Sequence, residues 1–404
     1  MTAPVDVAVV GGGPAGSATA ALLARRGCRV LLVDRAVFPR AKPCGDYLNP
    51  GCDELFDRMG VRADVRRAAA PVRGMRLVTA DGEDAPLAFP RRNGWALRRA
   101  VLDQLLLDHA GRAGATIHDA TRLTAIESGR RNIRIVVERG GRQESYATRL
   151  LVGADGLRST VARVAGMGVP VRHGRYTVGA YLGGLAPVDG GPERATPETR
   201  AWGEIHLRQD GYCGVAHLAN GLANVTIAVR RDAVRAWHGD LEAGYRSWLR
   251  GCPGLRDRLH RAERVGPLIT VGPLGYYRRR AARGRILLVG DAAAHLDPMT
   301  GQGVYLALRG AEMCAAAAAE ALDRAGVPSP WAYTLARARA FGPVFTAARL
   351  VQVLAFRPAV VRRAAAQVTR DPDLGRRLIG VIGNTDGVGG VLHPAVLPRF
   401  LGWT

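Results

Sequence analysis

The chain has 404 residues, of which 48% are hydrophobic and 23% are charged, a composition that suits a globular protein with a large core and excludes disordered or low-complexity chains. Its 57 basic residues exceed its 35 acidic residues and give a net charge of +22, which favours anionic partners. Almost all of these basic residues are arginines, because Lys42 is the only lysine. The sequence shows no zinc spacing and no basic motif with interleaved aromatic residues, so we expect no nucleic-acid partner.

The length predicts two or more domain-like units. No run approaches the ~20 apolar residues that a membrane span needs, and the N-terminal segment lacks a basic leader. We therefore expect a cytoplasmic protein without a transmembrane segment. The six cysteines are too far apart for a zinc pattern, and in so long a chain they do not indicate a disulfide framework. We expect no metal site.

The first predicted elements form a unit of strand, glycine turn, helix and strand. An apolar run over 5–10 leads into GGGPAG at 11–16, a helical pattern follows, and a second apolar run ends at Asp34. This order and spacing match a dinucleotide-binding fingerprint. The residues expected to contact the dinucleotide here are Gly11, Gly13, Pro14, Ala15, Gly16, Asp34 and Arg35.

Each part of the fingerprint has a physical task. Gly11 would allow the tight turn, Gly13 would let a pyrophosphate approach the backbone, and Gly16 would let the helix pack closely on the sheet. The helix N-terminus would offer unpaired N–H groups to the phosphates. Asp34 would accept hydrogen bonds from ribose hydroxyls, which favours a dinucleotide over a mononucleotide.

Further elements follow in chain order. They are a loop at 38–50, a helix at 52–59, strands at 74–79 and 86–89, a helix at 95–111, strands near 116 and at 123–127, 133–138 and 150–152, strand-like alternation within 175–265, a buried strand at 286–289 and mostly helix from 304. No internal repeat is visible.

Two later segments complete a pattern with the first. The sequence GADGLRS at 153–159 follows an apolar strand, and GDAAAHLDPMTGQG occupies 290–303. With the glycine fingerprint they resemble, over about residues 1–325, the superfamily of FAD enzymes that includes para-hydroxybenzoate hydroxylase, flavin-dependent halogenases and geranylgeranyl reductases. FPRAKPCG at 38–45 and DPMTGQG at 297–303 look most similar to the geranylgeranyl-reductase branch.

The resemblance implies an α/β fold. We expect a Rossmann-like FAD-binding domain of the glutathione-reductase type with an inserted antiparallel β-sheet substrate domain and a C-terminal helical segment. The expected divisions are the FAD-binding domain at 1–73, 95–174 and 266–330, the substrate domain as a hairpin at 74–94 and a sheet at 175–265, and a C-terminal cap at 331–404.

The resemblance also assigns roles around FAD. Asp291, after Gly290, would hold the ribityl chain, and Arg99 and Arg40 would contact the pyrophosphate. Asp155 would shape the pyrophosphate region and the access of the reductant, unless it is only a turn aspartate. The residues expected near the isoalloxazine ring are Cys44, Gly45, Pro298, Gly301, Gln302 and Gly303. Because only one glycine fingerprint is present, NADPH or NADH would bind transiently, or a partner would supply the electrons.

Three chemistries are compatible with this family. We favour a monooxygenase that hydroxylates an aromatic or polyketide-like molecule in specialised metabolism, because the segment GYCGVAH at 211–217 keeps only the Tyr of the reductase signature Tyr-x-Trp-x-Phe-Pro. That loss would remove much of the apolar wall expected for an isoprenoid. An isoprenoid double-bond reductase is the alternative. A halogenase is the weakest reading, since the signature Trp-x-Trp-x-Ile-Pro is absent.

Candidate catalytic groups lie on the predicted substrate sheet. His217, Tyr212 and His206 could face the flavin, and His217 could orient or deprotonate a phenol, although each could equally be a packed or outward-facing group. Cys44 is a further catalytic candidate, with a small buried thiol as its plainer interpretation.

The C-terminal cap is strongly basic. It contains ten Arg and three Asp between proline-interrupted helical runs. Its cationic outer face could dock an acidic carrier protein or an anionic membrane surface, although a solvated arginine-rich face explains the same pattern. The substrate itself is expected to be a hydrophobic or aromatic small molecule.

Overall fold

The computed structural model describes residues 5–400 apart from 130, 170–173, 189–200, 278–279, 325–326 and 395. Its first large sheet has eight strands. In spatial order these are Ala282–Arg283, Ile286–Leu288, Arg142–Gly153, Val5–Val10, Val30–Val33 and Thr116–His118, with Ile133–Arg139 joined to Arg142–Gly153 and Thr121–Ser128 joined to Ile133–Arg139.

The central strands of the first sheet are parallel, and their register brings the sequence motifs together. Val10 pairs with Gly153, and Gly153 pairs with Leu288. The motifs that follow these strands therefore begin at the same edge of the sheet. The central strand is an almost unbroken apolar run because helices and other elements cover both faces of the sheet.

The second large sheet has seven strands. In spatial order they are Glu263–Val271, Arg175–Gly183, Leu222–Arg230, Gly211–His217, Trp202–Arg208, Gly74–Val78 and Asp84–Ala88. All neighbours pair antiparallel except Trp202–Arg208 and Gly74–Val78, which pair parallel. The strand Glu263–Val271 extends this sheet past the domain boundary expected at 265. One small sheet contains Tyr47–Leu48, Gly94–Ala96 and Ala70–Val72. Another contains Tyr276–Tyr277 and Ala294–His295.

The helices surround these sheets. They are Pro14–Ala24, Gly51–Met59, Arg62–Ala68, Arg99–Arg112, Thr160–Val164, Arg231–Arg235, Leu241–Arg250, Pro253–Arg256, Gly303–Asp323, Pro330–Ala355, Pro358–Arg370, Pro372–Ile382, Gly389–Leu392 and Leu397–Phe400, with 3-10 turns at Leu259–Arg261, Gly290–Ala292 and Pro298–Thr300. The expected α/β fold with a helical C-terminal segment is confirmed.

The helix predicted at 95–111 begins later than expected. Trp95 lies in the strand Gly94–Ala96, and the helix starts at Arg99. The distant Asp46 explains this start, because its Oδ1 accepts a hydrogen bond from the Arg99 backbone N–H at 3.0 Å and so caps the helix from outside. Local periodicity carries no information about such a long-range cap.

The C-terminal cap packs over the second sheet and the last FAD-binding motif. Leu374 and Ile379 share a buried cluster with Leu87 of the second sheet, and Phe341 and Phe345 share another with Leu296. Among the residues that the structure describes, no single helix has the length and hydropathy of a membrane span; only the pair Pro330–Ala355 and Pro358–Arg370, bent by 110°, passes that test jointly.

Candidate functional site

A cavity of about 560 Å³ lies where the first sheet, the second sheet and the C-terminal cap meet. Twelve of the residues singled out from the sequence line it. They are Gly13, Pro14, Ala15, Cys44, Gly45, Arg99, Tyr212, Asp291, Pro298, Gly301, Gln302 and Gly303. The cavity is therefore built from segments that are distant in the chain. The parallel register of the first sheet brings the motifs at 11–16 and 290–303 to one edge, whereas Tyr212 comes from the second sheet.

The glycines of the first motif have different tasks in this structure. Gly11 has a φ of +109°, and a side chain there would overlap the backbone of Ala154. A side chain at Gly16 would overlap the Gly11 carbonyl. At Gly13 the only described neighbour within 4 Å of an added Cβ would be the Arg40 guanidinium at 3.4 Å. Gly11 and Gly16 therefore allow the backbone to fold tightly, while Gly13 leaves open space at the cavity wall.

Two helices begin at the cavity. Pro14–Ala24 starts after Gly13 and Gly303–Asp323 starts after Gln302, and neither helix has a side-chain hydrogen bond at its N-cap. The first N–H groups of a helix have no partner within the helix, and the helix dipole is positive at that end. Both helix starts thus offer donors to an anionic or electron-rich ligand, as a diphosphate and a flavin ring require.

A buried carboxylate, not anticipated from the sequence, orients both predicted pyrophosphate arginines. Asp103 is fully buried. It accepts hydrogen bonds from Arg99 Nε and Nη2 at 2.9 and 3.0 Å, and Arg40 Nη1 lies 3.2 Å from its Oδ2. Burial acts to lower the pKa of Arg99, but the nearby Asp103 carboxylate raises it. Arg40 also lies next to Gly13, which supports its predicted place beside the cofactor.

The only lysine in the chain also lies at the cavity. Lys42 lines it, and its Nζ is 3.9 Å from Asp291 Oδ2. Burial, and then the neighbouring Arg99, lower the pKa of Lys42. Lys42 could have been singled out because it lies in the segment FPRAKPCG at 38–45. The sequence alone did not show that its side chain lies beside Asp291 of the motif at 290–303.

Seven predicted cofactor residues are not part of the cavity lining. Gly11, Gly16 and Arg40 are described above, and the other four are Asp34, Arg35, Asp155 and Gly290. Asp155 is a helix cap, because its Oδ2 accepts hydrogen bonds from the backbone N–H groups of Thr160 and Val161 at 2.6 and 3.1 Å. Asp34 Oδ2 accepts from the Gly12 N–H at 2.6 Å, which holds it against the glycine turn, and Arg35 is exposed. The turn-aspartate alternative for Asp155 therefore matches this geometry better than a role in reductant access. Gly290 packs closely against Ala15.

Asp46 is a second residue that sequence reasoning missed. It is buried, and its Oδ2 accepts hydrogen bonds from Tyr181 Oη at 2.7 Å and Asn224 Nδ2 at 2.9 Å. These two partners lie on the second sheet, whereas the bond from the Arg99 N–H comes from the FAD-binding side. Burial raises the pKa of Asp46 against the opposing effect of these hydrogen bonds. Asp46 therefore fixes the second sheet relative to the cofactor loop.

Tyr212 faces the cavity and is held by an acid. Its hydroxyl donates to Asp297 Oδ1 at 2.6 Å, and Arg175 Nη1 donates to Asp297 Oδ2 at 3.0 Å. Burial, followed by the charge of Asp297, raises the pKa of Tyr212 well above its ordinary value. Tyr212 therefore keeps its phenolic proton at neutral pH.

His217 does not face the cavity, contrary to expectation. Tyr212 and His217 are five residues apart on one strand, so their side chains point to opposite faces. His217 and His206 lie on the far face, where their Nε2 atoms are 3.4 and 2.7 Å from oxygens of the buried Glu204. Arg258 donates to the same carboxylate twice, at 2.7 Å each. Of the three titratable groups expected to face the substrate, Tyr212 does so, whereas His206 and His217 do not.

Cys44 lines the cavity as a thiol. Burial raises the pKa of Cys44, so the thiolate needed for nucleophilic chemistry is disfavoured. Its carbonyl oxygen accepts a hydrogen bond from Asn224 Nδ2 at 2.8 Å. The geometry supports a packing and positioning role beside the cofactor.

The remainder of the cavity is mainly apolar, although Arg76, Thr177, Glu204, Thr226, His295 and Thr300 also line it. The apolar wall expected to be lost with the reductase signature is therefore supplied by other residues. Gly214 and Ala216 stand where the signature has Trp and Phe, and both line the cavity. Small residues here widen the space, and the C-terminal cap supplies the apolar surface opposite. The cap residues involved are Ala347, Ala348, Leu350, Val351, Leu354, Ala355, Val360, Val361, Ala364, Leu378, Ile379, Val381, Ile382 and Val391. The cap was identified from sequence, but its inner face was not.

These residues fit FAD. The open space at Gly13, the arginines held by Asp103 and the helix start at Gly303 provide, in turn, room for a diphosphate, positive charge and donors for a ring system. The cavity then continues from the segment Pro298–Thr300 and Gly301 into the apolar space beneath the cap. A redox cofactor at one end of a long apolar cavity can act on a hydrophobic substrate.

Comparisons with known proteins identify relatives. A family model described as an FAD binding domain matches residues 4–197. The menaquinone reductase of Mycobacterium tuberculosis is 31% identical over 86% of this chain and 83% of that protein. Digeranylgeranylglycerophospholipid reductase 1 of Methanothermobacter thermautotrophicus is 26% identical over 81% of this chain and 80% of that protein. A flavin-dependent halogenase of Armillaria mellea is 27% identical over 76% of this chain and 65% of that protein.

Solved structures share the fold. A flavoprotein/dehydrogenase from Cytophaga hutchinsonii superposes with a TM-score of 0.85 at 19% sequence identity, covering 99% of this chain and 98% of that chain. The whole chain, including the C-terminal cap, therefore has a structural counterpart.

Proposed function

The chain belongs to the family of FAD-dependent oxidoreductases, and from this premise we propose that it reduces carbon–carbon double bonds in the isoprenoid chain of an apolar substrate, with NADPH or NADH as the source of electrons. The observation that carries this proposal is the apolar cavity that runs from the predicted flavin loop to the inner face of the C-terminal cap. Two relatives are named as reductases of menaquinone and of a digeranylgeranyl lipid, and both names denote molecules with isoprenoid chains.

The cavity lining explains how such a substrate would be held. Aliphatic side chains from the cap and small residues on the sheet give contact area without demanding a polar partner, as a polyprenyl chain requires. When bound, FAD would supply hydride chemistry at the double bond. Tyr212 would hold a proton at its hydroxyl oxygen at the cavity wall, and its bond to Asp297 fixes where that proton lies.

Hydroxylation is the second candidate, and the Tyr212–Asp297 pair is the observation that favours it. The Tyr212 oxygen can still accept a hydrogen bond from a substrate phenol, since its own O–H donates its hydrogen bond to Asp297. His217 no longer supports this candidate because it lies on the other face of the sheet. Halogenation gains no support from Lys42, which lies beside Asp291 and not beneath the cap.

Anaerobic turnover separates the two candidates. The purified flavoprotein, incubated without oxygen with NADPH or NADH and a geranylgeranyl lipid or prenylated quinone, should yield a product heavier by one H₂ per double bond reduced. Mass spectrometry of the lipid measures this directly. A phenolic substrate that is consumed only after oxygen is admitted, with incorporation of labelled oxygen, would favour the hydroxylase instead.

Filling the widened part of the cavity should impair long substrates selectively. An added Cβ at Gly214 would have its nearest neighbour, Ile205 Cδ1, at 3.8 Å, so Gly214→Phe should fold and project its ring into the cavity. We expect kcat/KM to fall by about tenfold or more for a geranylgeranyl substrate and little for a dimethylallyl analogue. Gly214→Ala is the matched control, and equal losses for both chain lengths would contradict a chain-binding role.

Several expectations from sequence stay predictions. These are the cytoplasmic location, the choice between NADPH and NADH, and the docking of an acidic carrier protein or an anionic membrane surface on the outer face of the C-terminal cap.

A further inference from the structure

A second cavity, here called the arginine cleft, lies beside the flavin cavity. Its volume is about 730 Å³, within the range of small-molecule sites. The start of the strand Arg175–Gly183, the helix Arg231–Arg235, the loop 273–276 and the helix Pro330–Ala355 form its walls. None of the FAD roles assigned above uses this space.

The lining of the arginine cleft has a large excess of positive charge. Five arginines line it, namely Arg175, Arg230, Arg231, Arg235 and Arg349. The two acids of the lining are already paired, Asp232 with Arg230 and Asp297 with Arg175. Within the described part of the chain, Arg231, Arg235 and Arg349 have no carboxylate within the 4.0 Å of an ion pair. Three guanidinium groups around one concavity thus lack a counter-charge from the protein.

Two hydrogen-bond donors of the lining are also unsatisfied. Arg175 Nε and Gln352 Nε2 are buried and have no acceptor among the described residues. Leaving a buried N–H without an acceptor is costly, so such groups commonly mark a missing partner. Both atoms are donors that lie behind the surface of the cleft, so a ligand in the cleft would first contact the exposed guanidinium groups of Arg231, Arg235 and Arg349.

The arginine cleft touches the flavin cavity. Leu274, His295 and Leu296 line both spaces, so the two cavities share part of their walls. Tyr176, Tyr276 and Phe345 add aromatic surface to the cleft. A ligand with an anionic group in the cleft could therefore place its organic part against aromatic rings or towards the flavin loop.

We infer that the arginine cleft binds the diphosphate group of an organic ligand used by this enzyme. Arginine presents several N–H donors in a planar fork that matches phosphate oxygens, and a diphosphate offers enough oxygens for several arginines. Two sources share this chemistry: the dinucleotide that supplies electrons, and a prenyl diphosphate whose chain would enter the apolar cavity. The second source rests on the proposed function, whereas the first serves any activity of the family.

Binding to the oxidised, FAD-loaded enzyme tests the inference without turnover. The probes are NADPH, geranylgeranyl diphosphate and inorganic pyrophosphate, each measured by calorimetry at low and moderate salt. The variant is Arg231→Gln with Arg349→Gln. Its control is Arg122→Gln with Arg250→Gln, which removes two exposed arginines that line neither cavity. FAD absorbance verifies that every sample is loaded.

We expect at least one organic probe to bind the variant about tenfold or more weakly than the control, to compete with pyrophosphate, and to bind less tightly as salt rises. Weakening confined to NADPH identifies the reductant, and weakening confined to geranylgeranyl diphosphate identifies the substrate headgroup. Equal affinities in variant and control for every probe, or no binding at low salt, overturn the site. Because no catalytic step is measured, these outcomes do not depend on whether the enzyme reduces or hydroxylates.

Discussion

Replacing Gly13 with Val should abolish FAD retention while the apoprotein stays as stable as wild-type apoprotein. Within the described part of the chain, only the end of the flexible Arg40 side chain lies within 4 Å of an added Cβ at this position, at 3.4 Å, so the fold can accept the substitution. The larger side chain would instead occupy the place where the pyrophosphate approaches the backbone. We expect FAD affinity to fall on the order of 100-fold or more, measured by fluorescence titration of the apoprotein.

Gly16→Ala is the matched comparison, because it changes the same motif through a different cause. A Cβ at Gly16 would overlap the Gly11 carbonyl oxygen, so the turn itself must shift. This variant should lose FAD and also melt earlier than wild-type apoprotein. The apoproteins must be compared, since FAD binding alone raises the stability of the native state. Full FAD affinity in Gly13→Val would remove the first motif from the cofactor site.

The FAD side of the site could be predicted because its residues lie in short motifs at the ends of parallel strands. Gly13 follows the strand Val5–Val10 and Asp291 follows the strand Ile286–Leu288, and the register of both strands with Arg142–Gly153 brings these distant residues to the same edge of the sheet. The helix starts after Gly13 and Gln302 are likewise local features that glycine and proline mark in the sequence. Tertiary context adds little to either inference.

The substrate side of the site was harder to predict from the sequence, for three reasons. His217 was assigned to the wrong face, although its odd separation from Tyr212 already excludes a shared face on a regular strand. Asp46 acts through hydrogen bonds to groups that are distant in the chain. Asp103 lies one helical turn from Arg99 but also holds the distant Arg40, and no local pattern displays that contact. The apolar wall comes from the C-terminal cap, and which cap residues face inward depends on how its helices cross the second sheet.

The Glu204 cluster should be essential for stability. Glu204 is among the residues that line the cavity, but its carboxylate is engaged by Arg258, His206 and His217. Glu204 is 1% exposed and accepts two hydrogen bonds from Arg258. Removing one partner of a buried ion pair leaves an uncompensated charge, which typically costs about 3–5 kcal/mol. We therefore expect Glu204→Ala to lower the free energy of unfolding by about that amount in urea denaturation at pH 7. Glu320→Ala, which breaks an exposed pair with Arg324, is the control and should have little effect.

The pH dependence of this loss follows from the carboxylate. Although burial opposes it, Arg258 and the two histidines hold the pKa of Glu204 well below its usual value of 4.5. The unfolded chain therefore takes up a proton here before the folded chain does, so the stabilisation is complete above about pH 4.5 and shrinks as the pH falls below it. The stability difference between wild type and Glu204→Ala should narrow over that interval.

His217→Ala should also lower the free energy of unfolding, yet the FAD-loaded variant should turn over at the wild-type rate. A large loss of kcat with unchanged stability would instead return His217 to the active site.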